Sequence, residues 1–446
     1  MHERRRIDWF RFAFTAGSVE HAQRRVKRAM AFGSGKVENE KFLKVFIGGS
    51  MNNFTYWTPT KVVFGKGAEK ETGKLIKEQK ASKVLVHFGG QSAEKSGLLD
   101  RIRTSLESEN ISYVTLGGVV PNPRLSLVRK GIALCKKEGV DFILAVGGGS
   151  VIDSAKAIGY GLANDCDVWD LYLKKSAPKG CVPVGAVLTI AAAGSEMSDS
   201  SVITNEDGWL KRGCNSDYAR CRFAVMNPEL TASLNHWQTM SGCTDIVMHT
   251  LERYFYSSDT AEPASLLTDN IAEGLIKAVI KSSHVLKKEP QNYEARAQVM
   301  WAGSLSHNGL TGCGNNTGDW ATHQIEHELS GMFDVTHGAG LAAVWASWAR
   351  YVYKENPARF AKLAENVFGI KAASAEQGAR DGIKAMEDFF RSIDMPVSLK
   401  ELKVNASEEQ IDTMALKCSF NKTRTIGTFK KLSYEDLKLI YQAAAK

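Results

Sequence analysis

The chain has 446 residues, of which 43% are hydrophobic and 24% are charged, as in ordinary soluble globular proteins. This composition excludes a disordered chain, and 10 prolines with 39 glycines in no period exclude a collagen-like one. The net charge of +8 is uneven, because residues 1–50 hold 11 Lys and Arg against 5 Asp and Glu. The remainder is nearly neutral, so no nucleic-acid partner is predicted, and no apolar run is long enough to predict a membrane span.

Residues 1–50 lack the pattern of a folded domain. They are rich in arginine and end in the Gly/Ser stretch Ile47–Ser50, whereas patterned sequence begins at Met51. We expect an extension that is disordered or not native, with Met51 as the natural start. Five acidic residues disfavour an organelle presequence, and the lack of an apolar core in this segment disfavours a secretion signal.

The eight cysteines are scattered along the chain and form no Cys-x-x-Cys pair. A thiolate zinc site is therefore not predicted. We expect reduced, mostly buried thiols, which are typical of a cytoplasmic protein.

Short apolar runs alternate with helical periods from residue 83 onward. Strands are predicted at residues 83–88, 112–116, 141–146, 182–188 and 222–228, and helices at residues 93–109, 124–138 and 151–163. Strands that alternate with helices indicate a parallel sheet with helices on its faces. We therefore predict an α/β domain over residues 51–228.

Helical periodicity dominates after residue 228. Helices are predicted at residues 237–256, 262–287, 291–307, 318–330, 339–353, 357–368, 374–393, 407–416 and 433–445. We therefore predict a helical second domain over residues 229–446.

A glycine-rich turn joins the third predicted strand to the helix that follows. Its residues are Gly147, Gly148, Gly149 and Ser150, and Asp153 comes shortly after them. The bare backbone N–H groups and the positive helix end at such a turn can bind phosphate oxygens, and the missing side chains let a pyrophosphate approach. The pattern is not Gly-x-Gly-x-x-Gly, so a tight turn without a ligand is the alternative.

A second glycine turn follows the first predicted strand, where many dinucleotide folds bind the adenosine ribose. Gly89, Gly90 and Ser92 lie there, and no acid comes before Glu94. An acid would accept from the ribose 2′-hydroxyl and favour NAD. Ser92, the glycine backbones and Lys95 could instead hold a 2′-phosphate, so we predict NADP(H) in preference to NAD(H). The alternative is that Ser92 only caps the next helix.

Acidic and histidine side chains recur at helical spacing in the second domain. Asp245 and His249 are one turn apart on one predicted helix, and His323 and His327 on another, so each pair shares a helix face. His337 follows the second pair. One carboxylate with three imidazoles suits Fe²⁺ or Zn²⁺. Each pair alone is also compatible with a surface charge pair or a buried core histidine.

These motifs together resemble the iron-containing (group III) alcohol dehydrogenases, in particular their NADPH-dependent butanol dehydrogenase branch. The resemblance covers the chain from Met51 to its C-terminus. It is carried by Gly147–Asp153, Ala192–Met197, Asp245 with His249, Ser306–Leu310, Gly318–Ala321, and His323 with His327 and His337. It implies a dehydroquinate synthase-like architecture, with an α/β dinucleotide-binding domain and an all-α metal-binding domain, and we expect a homodimer.

The resemblance also implies the metal ligands. They are Asp245, His249, His323 and His337. His327 is implied as a neighbour of the substrate and the nicotinamide, and we expect it to relay a proton.

Further positions match cofactor contacts of that family. They are Asn122, Thr189 and Lys211. Ala193 departs from the family pattern, which usually has Thr before the Gly-Ser-Glu run. We therefore expect that one hydroxyl contact to the cofactor is lost.

The predicted function is a metal-dependent interconversion of primary alcohols and aldehydes by hydride transfer with a nicotinamide cofactor. A polyol- or glycerol-type dehydrogenase, a dehydroquinate synthase-like lyase and a non-catalytic binding protein are the alternatives. The lyase needs several cations in its cleft, and we expect no Lys or Arg of residues 240–340 beside the histidines. Five aromatic residues would suit an apolar aldehyde at the site, although packing in the core is the favoured alternative for each: Trp237, Phe255, Trp301, Trp320 and Phe333.

Overall fold

A six-stranded parallel sheet forms the centre of the first half of the chain. The computed structural model describes residues 51–256, 265–315 and 318–446, so the extension expected over residues 1–50 lies outside the described residues. The strands are β1 (Lys61–Phe64), β2 (Lys83–Phe88), β3 (Ser112–Leu116), β4 (Phe142–Gly147), β5 (Val184–Leu188), β6 (Ser200–Asn205), β7 (Leu210–Asn215) and β8 (Phe223–Met226). The sheet has the order β1-β8-β5-β4-β2-β3, and β6 and β7 form a separate antiparallel hairpin.

The strand order reverses between β2 and β4. The chain runs from β2 outward to β3 and then returns to β4 on the other side of β2. Every residue of β4 is buried, as expected for a central strand that is covered on both faces. In open α/β sheets, ligands bind beyond the carboxyl ends of the strands at such a reversal.

Helices cover both faces of this sheet. Alternate residues of the central strands enter two different apolar cores, with Ile143 in one core and Phe142 in the other. The helices of this half are α1 (Thr72–Glu78), α2 (Ser92–Lys95), α3 (Leu98–Ser108), α4 (Leu125–Glu138), α5 (Gly149–Ala163) and α6 (Val168–Tyr172). The predicted α/β architecture is therefore confirmed.

The second half of the chain is largely helical, as predicted. Its helices are α7 (His236–Tyr254), α8 (Leu266–Lys288), α9 (Tyr293–His307), α10 (Ala321–Phe333), α11 (His337–Val352), α12 (Pro357–Phe368), α13 (Ala375–Ser392), α14 (Glu408–Cys418) and α15 (Tyr434–Ala444). Part of the helix predicted at 262–287 falls on residues 262–264, outside the described residues. Across the described ranges, no helix combines the length and apolar character that crossing a membrane requires.

Several features of the first half differ from the prediction. No element was predicted at the positions of β1, α1 and α6. The helix predicted at residues 93–109 is divided, because Gly97 has a φ of 67° and begins a new helix, α3. The β6–β7 hairpin was not predicted, although Asp207-Gly208 is a strong hairpin signal. Gly208 and Trp209 both have positive φ, 76° and 51°, and close the four-residue loop 206–209 between the paired residues Asn205 and Leu210.

The domain boundary after residue 228 stays a prediction. Ser50–Lys446 forms one compact unit. The larger apolar core contains residues of both halves, such as Ile152 of α5 and Ile246 of α7. The sheet and the helical half therefore share buried surface.

A buried ion pair connects α8, α12 and the end of α7. The Arg359 guanidinium donates to both carboxylate oxygens of Asp269, at 2.6 and 2.7 Å, and to the backbone oxygen of Tyr254. Both charged side chains are almost completely buried. Burial alone would raise the pKa of Asp269, but Arg359 and Lys362 outweigh burial and hold that pKa below its ordinary value.

Removal of this guanidinium is expected to destabilise the fold. We predict that Arg359→Met lowers the free energy of unfolding by about 3–5 kcal/mol, because the Asp269 charge stays buried without its main partner. The loss is full above about pH 4, the ordinary pKa of Asp, and shrinks as the pH falls through the lowered pKa of Asp269. Denaturant unfolding at several pH values measures this loss. The exposed Arg380→Met is the control, expected within about 0.5 kcal/mol of wild type, and an equally small Arg359→Met loss would contradict the account.

Candidate active site

Three helices carry the predicted metal ligands. α7 begins after Asn235, whose side chain caps the helix, and carries Asp245 and His249 one turn apart. His323 lies on α10, and His337 is the first residue of α11. The first three of these side chains are buried, whereas that of His337 is 25% exposed.

Asp245 lies between two imidazole rings. Its Oδ1 is 3.8 Å from Nε2 of His323 and 3.8 Å from Nε2 of His337, and one ligand atom of each residue lies within 4.8 Å of the others. Within the described residues, no hydrogen bond reaches Asp245 Oδ1 or His323 Nε2, although both atoms are buried. Buried polar atoms are nearly always paired, so these two atoms fit a shared cation. A carboxylate oxygen with imidazole nitrogens suits Fe²⁺ or Zn²⁺.

Two buried glutamates determine which nitrogen of each ring faces Asp245. Oε1 of Glu252 accepts from the backbone N–H of His323 and lies 2.9 Å from Nδ1 of its ring. Glu326 pairs with Nδ1 of His337 in the same way. An Nδ1–H that donates to a carboxylate leaves the Nε2 lone pair free for a metal. The sequence analysis missed both glutamates, although Glu252 lies on the same helix as Asp245.

The charges of this cluster favour a proton or a cation. Burial alone would raise the pKa of Asp245, but the nearby rings of His249 and His337 hold that pKa well below its ordinary value. Burial alone would lower the pKa of His323, but the carboxylates of Asp245 and Glu252 raise it to about 9. Positive charge is therefore stabilised where the ligand atoms converge.

The other two predicted histidines stand beside this three-residue group. Nδ1 of His249 is hydrogen-bonded to the backbone oxygen of Asp245 at 3.0 Å, and its ring centroid is 4.5 Å from that of His323. His249 is not itself part of the group whose ligand atoms converge. His327 is half-buried on α10, and its ring centroid is 5.9 Å from that of His337. Burial and neighbouring positive charge hold the pKa of His327 well below its ordinary value.

The predicted glycine turns lie at the reversal point of the sheet. The turn Gly89–Ser92 follows β2, and the turn Gly147–Ser150 follows β4, which is the paired neighbour of β2. Thr189 follows β5, and its backbone N–H donates to the backbone oxygen of Gly147 at 3.1 Å. Three groups of predicted cofactor residues therefore meet at one edge of the sheet.

Packing contributes to the need for glycine in the turn Gly147–Ser150. A Cβ at Gly147 would lie 2.4 Å from the Val151 side chain, and one at Gly148 would lie 2.8 Å from that of Ile190. α5 begins at Gly149 without a side-chain cap. The N–H groups of Val151 and Ile152 donate to the backbone oxygen of Gly148, at 3.0 and 3.1 Å, so those of Gly149 and Ser150 are the ones that a phosphate could use.

Ser92 and Asp153 have different surroundings. Ser92 is exposed and is the first residue of α2, whereas Gln91 is the cap residue, so the alternative that Ser92 only caps this helix is wrong. Asp153 is half-buried on α5, and its Oδ2 accepts from the backbone N–H of Val202 at 3.0 Å. Burial raises the pKa of Asp153 to about 6. Asp153 thus connects α5 to the β6–β7 hairpin.

Asn122 and Lys211 contact residues of the helical half that lie at or beside the predicted metal ligand His337. Nδ2 of Asn122 donates to Oδ1 of Asp334 at 2.9 Å. Nζ of Lys211 lies 3.3 Å from Oε2 of Glu326 and 3.4 Å from Nδ1 of His337. Two residues for which the resemblance implies cofactor contacts therefore also contact the elements that carry a predicted metal ligand.

The expectation that no cation lies beside the histidines is wrong for Arg253. Its Nη1 donates to the backbone oxygens of His249 and Ser306, at 3.1 and 3.0 Å. Its guanidinium also lies over the ring of Trp320, 4.6 Å from the centroid. Backbone oxygens and an aromatic face thus occupy this charge, so Arg253 is not a free phosphate-binding group.

Of the five aromatic residues that would suit an aldehyde, Trp320 packs against the histidine rings. Its centroid is 6.1 Å from that of His249 and 5.4 Å from that of His323. It also packs on His307, which in turn contacts His249. The other four lie in the apolar core or partly exposed at the surface: Phe255, Phe333, Trp237 and Trp301.

Comparisons with known proteins agree with this fold and with the sequence motifs. Residues 59–228 match the family model described as iron-containing alcohol dehydrogenase. Residues 239–445 match the C-terminal model of the Fe-containing alcohol dehydrogenase family. The chain therefore belongs to the iron-containing alcohol dehydrogenase family, as its motifs predicted.

Individual relatives resemble the chain over nearly their whole length. It is 40% identical over 398 residues to the probable NADH-dependent butanol dehydrogenase 1 of Bacillus subtilis, covering 88% of this chain and 100% of the relative. It is 32% identical over 397 residues to the NADPH-dependent aldehyde reductase YqhD of Escherichia coli, with coverage of 88% and 100%. The crystal structure of NADH-dependent butanol dehydrogenase A from Thermotoga maritima gives a TM-score of 0.85 at 38% identity, covering 89% of this chain and 99% of that one.

The Glu252 carboxylate is expected to strengthen metal binding. We predict that Glu252→Ala weakens the affinity for Zn²⁺ by about 10- to 100-fold, because the His323 ring loses the group that orients it. Glu252→Gln keeps an acceptor for Nδ1–H and should lose less. Competition between the full-length protein and a chromogenic chelator measures each affinity. Wild-type affinity in Glu252→Ala would rule out this orienting role.

Proposed function

We propose that the chain transfers a hydride between a nicotinamide cofactor and a primary alcohol–aldehyde pair beside the cluster of Asp245, His323 and His337. The observation that carries this proposal is the buried Oδ1 of Asp245, which accepts no hydrogen bond within the described residues and faces two Nε2 atoms, while Nδ1 of His249 lies 3.1 Å away. Membership of the alcohol dehydrogenase family supports the activity, and so do relatives named butanol dehydrogenase and aldehyde reductase. These relatives do not favour the lyase or polyol dehydrogenase alternatives.

The metal site of the proposal uses the four residues that the sequence singles out. Asp245, His323 and His337 would hold a divalent cation, Fe²⁺ or Zn²⁺, together with His249. The Nδ1 atom of His249 is bonded to the backbone, so Nε2 is the nitrogen that it can offer. When bound, the cation polarises the substrate oxygen and stabilises negative charge on it. Glu252, which lies 2.9 Å from Nδ1 of His323, would keep the Nε2 lone pair of that ring available to the cation.

We assign the proton relay to His327. It lies one turn after His323, near His337, and its partial exposure lets it exchange protons with water. When an alcohol is oxidised, a ring nitrogen of neutral His327 accepts the hydroxyl proton. When an aldehyde is reduced, the same nitrogen returns a proton to the product oxygen.

The cofactor part of the proposal rests on the sheet edge at the reversal point. The turn Gly147–Ser150, which leads from β4 into the uncapped start of α5, would bind the pyrophosphate through backbone N–H groups. Gly89, Gly90 and Ser92 would bind the adenosine ribose. Further contacts are proposed for four residues: Asn122, Asp153, Thr189 and Lys211.

Preference for NADP(H) over NAD(H) is part of the proposal. Ser92 is exposed after β2, and no carboxylate precedes Glu94 to accept from a ribose 2′-hydroxyl. The relatives do not support this preference evenly, since four butanol dehydrogenases at 36–40% identity are named as NADH-dependent, whereas the E. coli aldehyde reductase at 32% identity is named as NADPH-dependent. The preference therefore needs its own measurement.

A homodimer and a cytoplasmic location complete the proposal. The segment that precedes β1 exposes several large apolar side chains, which a second copy of the chain would cover: Met51, Phe54, Tyr56 and Trp57. All eight cysteines are free thiols, which suits a reducing compartment.

Loss of the Asp245 carboxylate tests the activity. We predict that Asp245→Asn lowers kcat/KM for aldehyde-dependent NADPH oxidation by about 100-fold or more, because a bound cation contributes several kcal/mol to the barrier. The assay uses the full-length protein, stripped of metal and then reloaded with Fe²⁺ or Zn²⁺, and follows the absorbance of the reduced nicotinamide. Glu376→Gln, on the exposed face of α13, is the matched control. Asp245→Asn activity close to wild type would contradict the metal-assisted reaction.

Exchange of Ser92 tests the cofactor preference. We predict a higher kcat/KM with NADPH than with NADH, and a shift of that ratio toward NADH by about fivefold or more in Ser92→Asp, because the new carboxylate repels a 2′-phosphate. Ser108→Asp, at the far end of α3, adds the same charge away from the turn and should leave the ratio unchanged. A wild-type enzyme that uses NADH better would contradict the preference.

A further inference from the structure

A three-residue linker joins the two helices that carry His323 and His337. α10 ends at Phe333, and α11 begins at His337 itself, so residues 334–336 determine where that ring points. Asp334 has a φ of 51°, in the left-handed region, and turns the chain sharply at the end of α10. Its side chain is 53% exposed, so burial alone does not hold it in place.

Two residues of the first half of the chain hold the start of this linker. Asn122 Nδ2 donates to one carboxylate oxygen of Asp334 at 2.9 Å, and Arg124 Nη2 donates to the other at 2.9 Å. Arg124 Nη1 also donates to the backbone oxygen of Asn122 at 2.7 Å. Asn122, Arg124 and Asp334 therefore form a closed hydrogen-bonded group, which we call the linker clamp.

The rest of the linker is held by other elements. The backbone oxygen of Val335 accepts from Ser330 Oγ at 3.3 Å, and Asn122 Nδ2 approaches the same oxygen at 3.4 Å. Thr336 Oγ1 accepts from Trp237 Nε1 of α7 at 3.0 Å. Each residue of the linker thus has a bond outside it, and the clamp supplies the bonds that come from the sheet half.

The surroundings of Asn122 favour a structural use of its amide. It is 6% exposed and has a φ of 54°, so its backbone is held in an uncommon conformation. Both contacts of its Nδ2 are to the linker. Arg124 is fixed as well, since its side chain is only 17% exposed and its guanidinium stacks over the ring of Trp209.

We propose that Asn122 and Arg124 are positioning residues of the metal site, which hold Asp334 so that the His337 ring faces Asp245. The inference rests on the proposed function, because it assumes that His337 binds the cation. Neither residue is among the proposed metal ligands, and neither is the proposed proton relay. Because Asn122 follows β3 on the sheet half, where the cofactor is proposed to bind, the clamp also connects the two halves of the site. Cofactor binding and metal affinity should therefore be coupled, and the coupling should be reciprocal.

Metal release from the full-length protein tests the clamp. We predict that Asp334→Asn and Arg124→Gln each speed the transfer of bound Co²⁺ to a chelator by about 10- to 100-fold, as loss of a group that orients a ligand does. Asn also tolerates the left-handed region, so the backbone at residue 334 is retained. The double variant should release the ion no faster than the single ones, because both act through one contact. Arg124→Lys keeps the positive charge, so it should release Co²⁺ more slowly than Arg124→Gln does.

The controls separate positioning from general destabilisation. The unfolding midpoints of the clamp variants should match that of wild type, and so should the rate of Co²⁺ release from Glu376→Gln. The visible spectrum of bound Co²⁺ reports the ligand geometry, so it should change in the clamp variants. Addition of NADP⁺ should slow metal release in wild type, and this slowing should be lost in Asp334→Asn. Wild-type release rates in both clamp variants would overturn the inference and leave the proposed function intact. A wild-type chain that binds no Co²⁺ would overturn both.

Discussion

The structure depends on one buried carboxylate that lies between two oriented imidazole rings. An unpaired polar atom in a protein interior costs about 1–3 kcal/mol, and more when the group is charged. Asp245 Oδ1 is such an atom, because it accepts no hydrogen bond within the described residues. Glu252 and Glu326 hold the rings of His323 and His337 with their Nε2 lone pairs toward it. The arrangement is consistent with a cation site, because a shared ion would satisfy the unpaired atoms of Asp245 and His323 together.

This constraint explains how the two halves of the chain are related. The sheet offers glycine turns at its reversal point, and the helical half offers the carboxylate–histidine cluster. Residues of the sheet half reach into the cluster, since Lys211 contacts Glu326 and His337, and Asn122 contacts Asp334. A hydride donor and a polarised carbonyl must be held together in one cleft for the reaction, and contacts that cross between the halves serve that requirement.

The sequence predicted the parts of the fold that repeat with a period. The buried strands and the amphipathic helices have clear periodicity. The family resemblance implied Asp245, His249, His323 and His337 as metal ligands, and the structure brings the ligand atoms of all but His249 together. Side chains whose role depends on a partner far along the chain were harder to find. Glu252 and Glu326 gain their role only when the helices pack, and neither the contact of Asn122 with Asp334 nor that of Arg253 with His249 follows from local sequence. The β6–β7 hairpin did leave a local signal in Asp207-Gly208.

Anomalous diffraction from crystals of the full-length protein, measured at the iron and zinc absorption edges, tests the central claim most directly. The account predicts one peak at about 2.0–2.2 Å from Asp245 Oδ1 and from the Nε2 atoms of His323 and His337, with His249 turned toward the same ion. A peak held instead by Glu326, His327 and His337, or no peak after soaking with either metal, would contradict it.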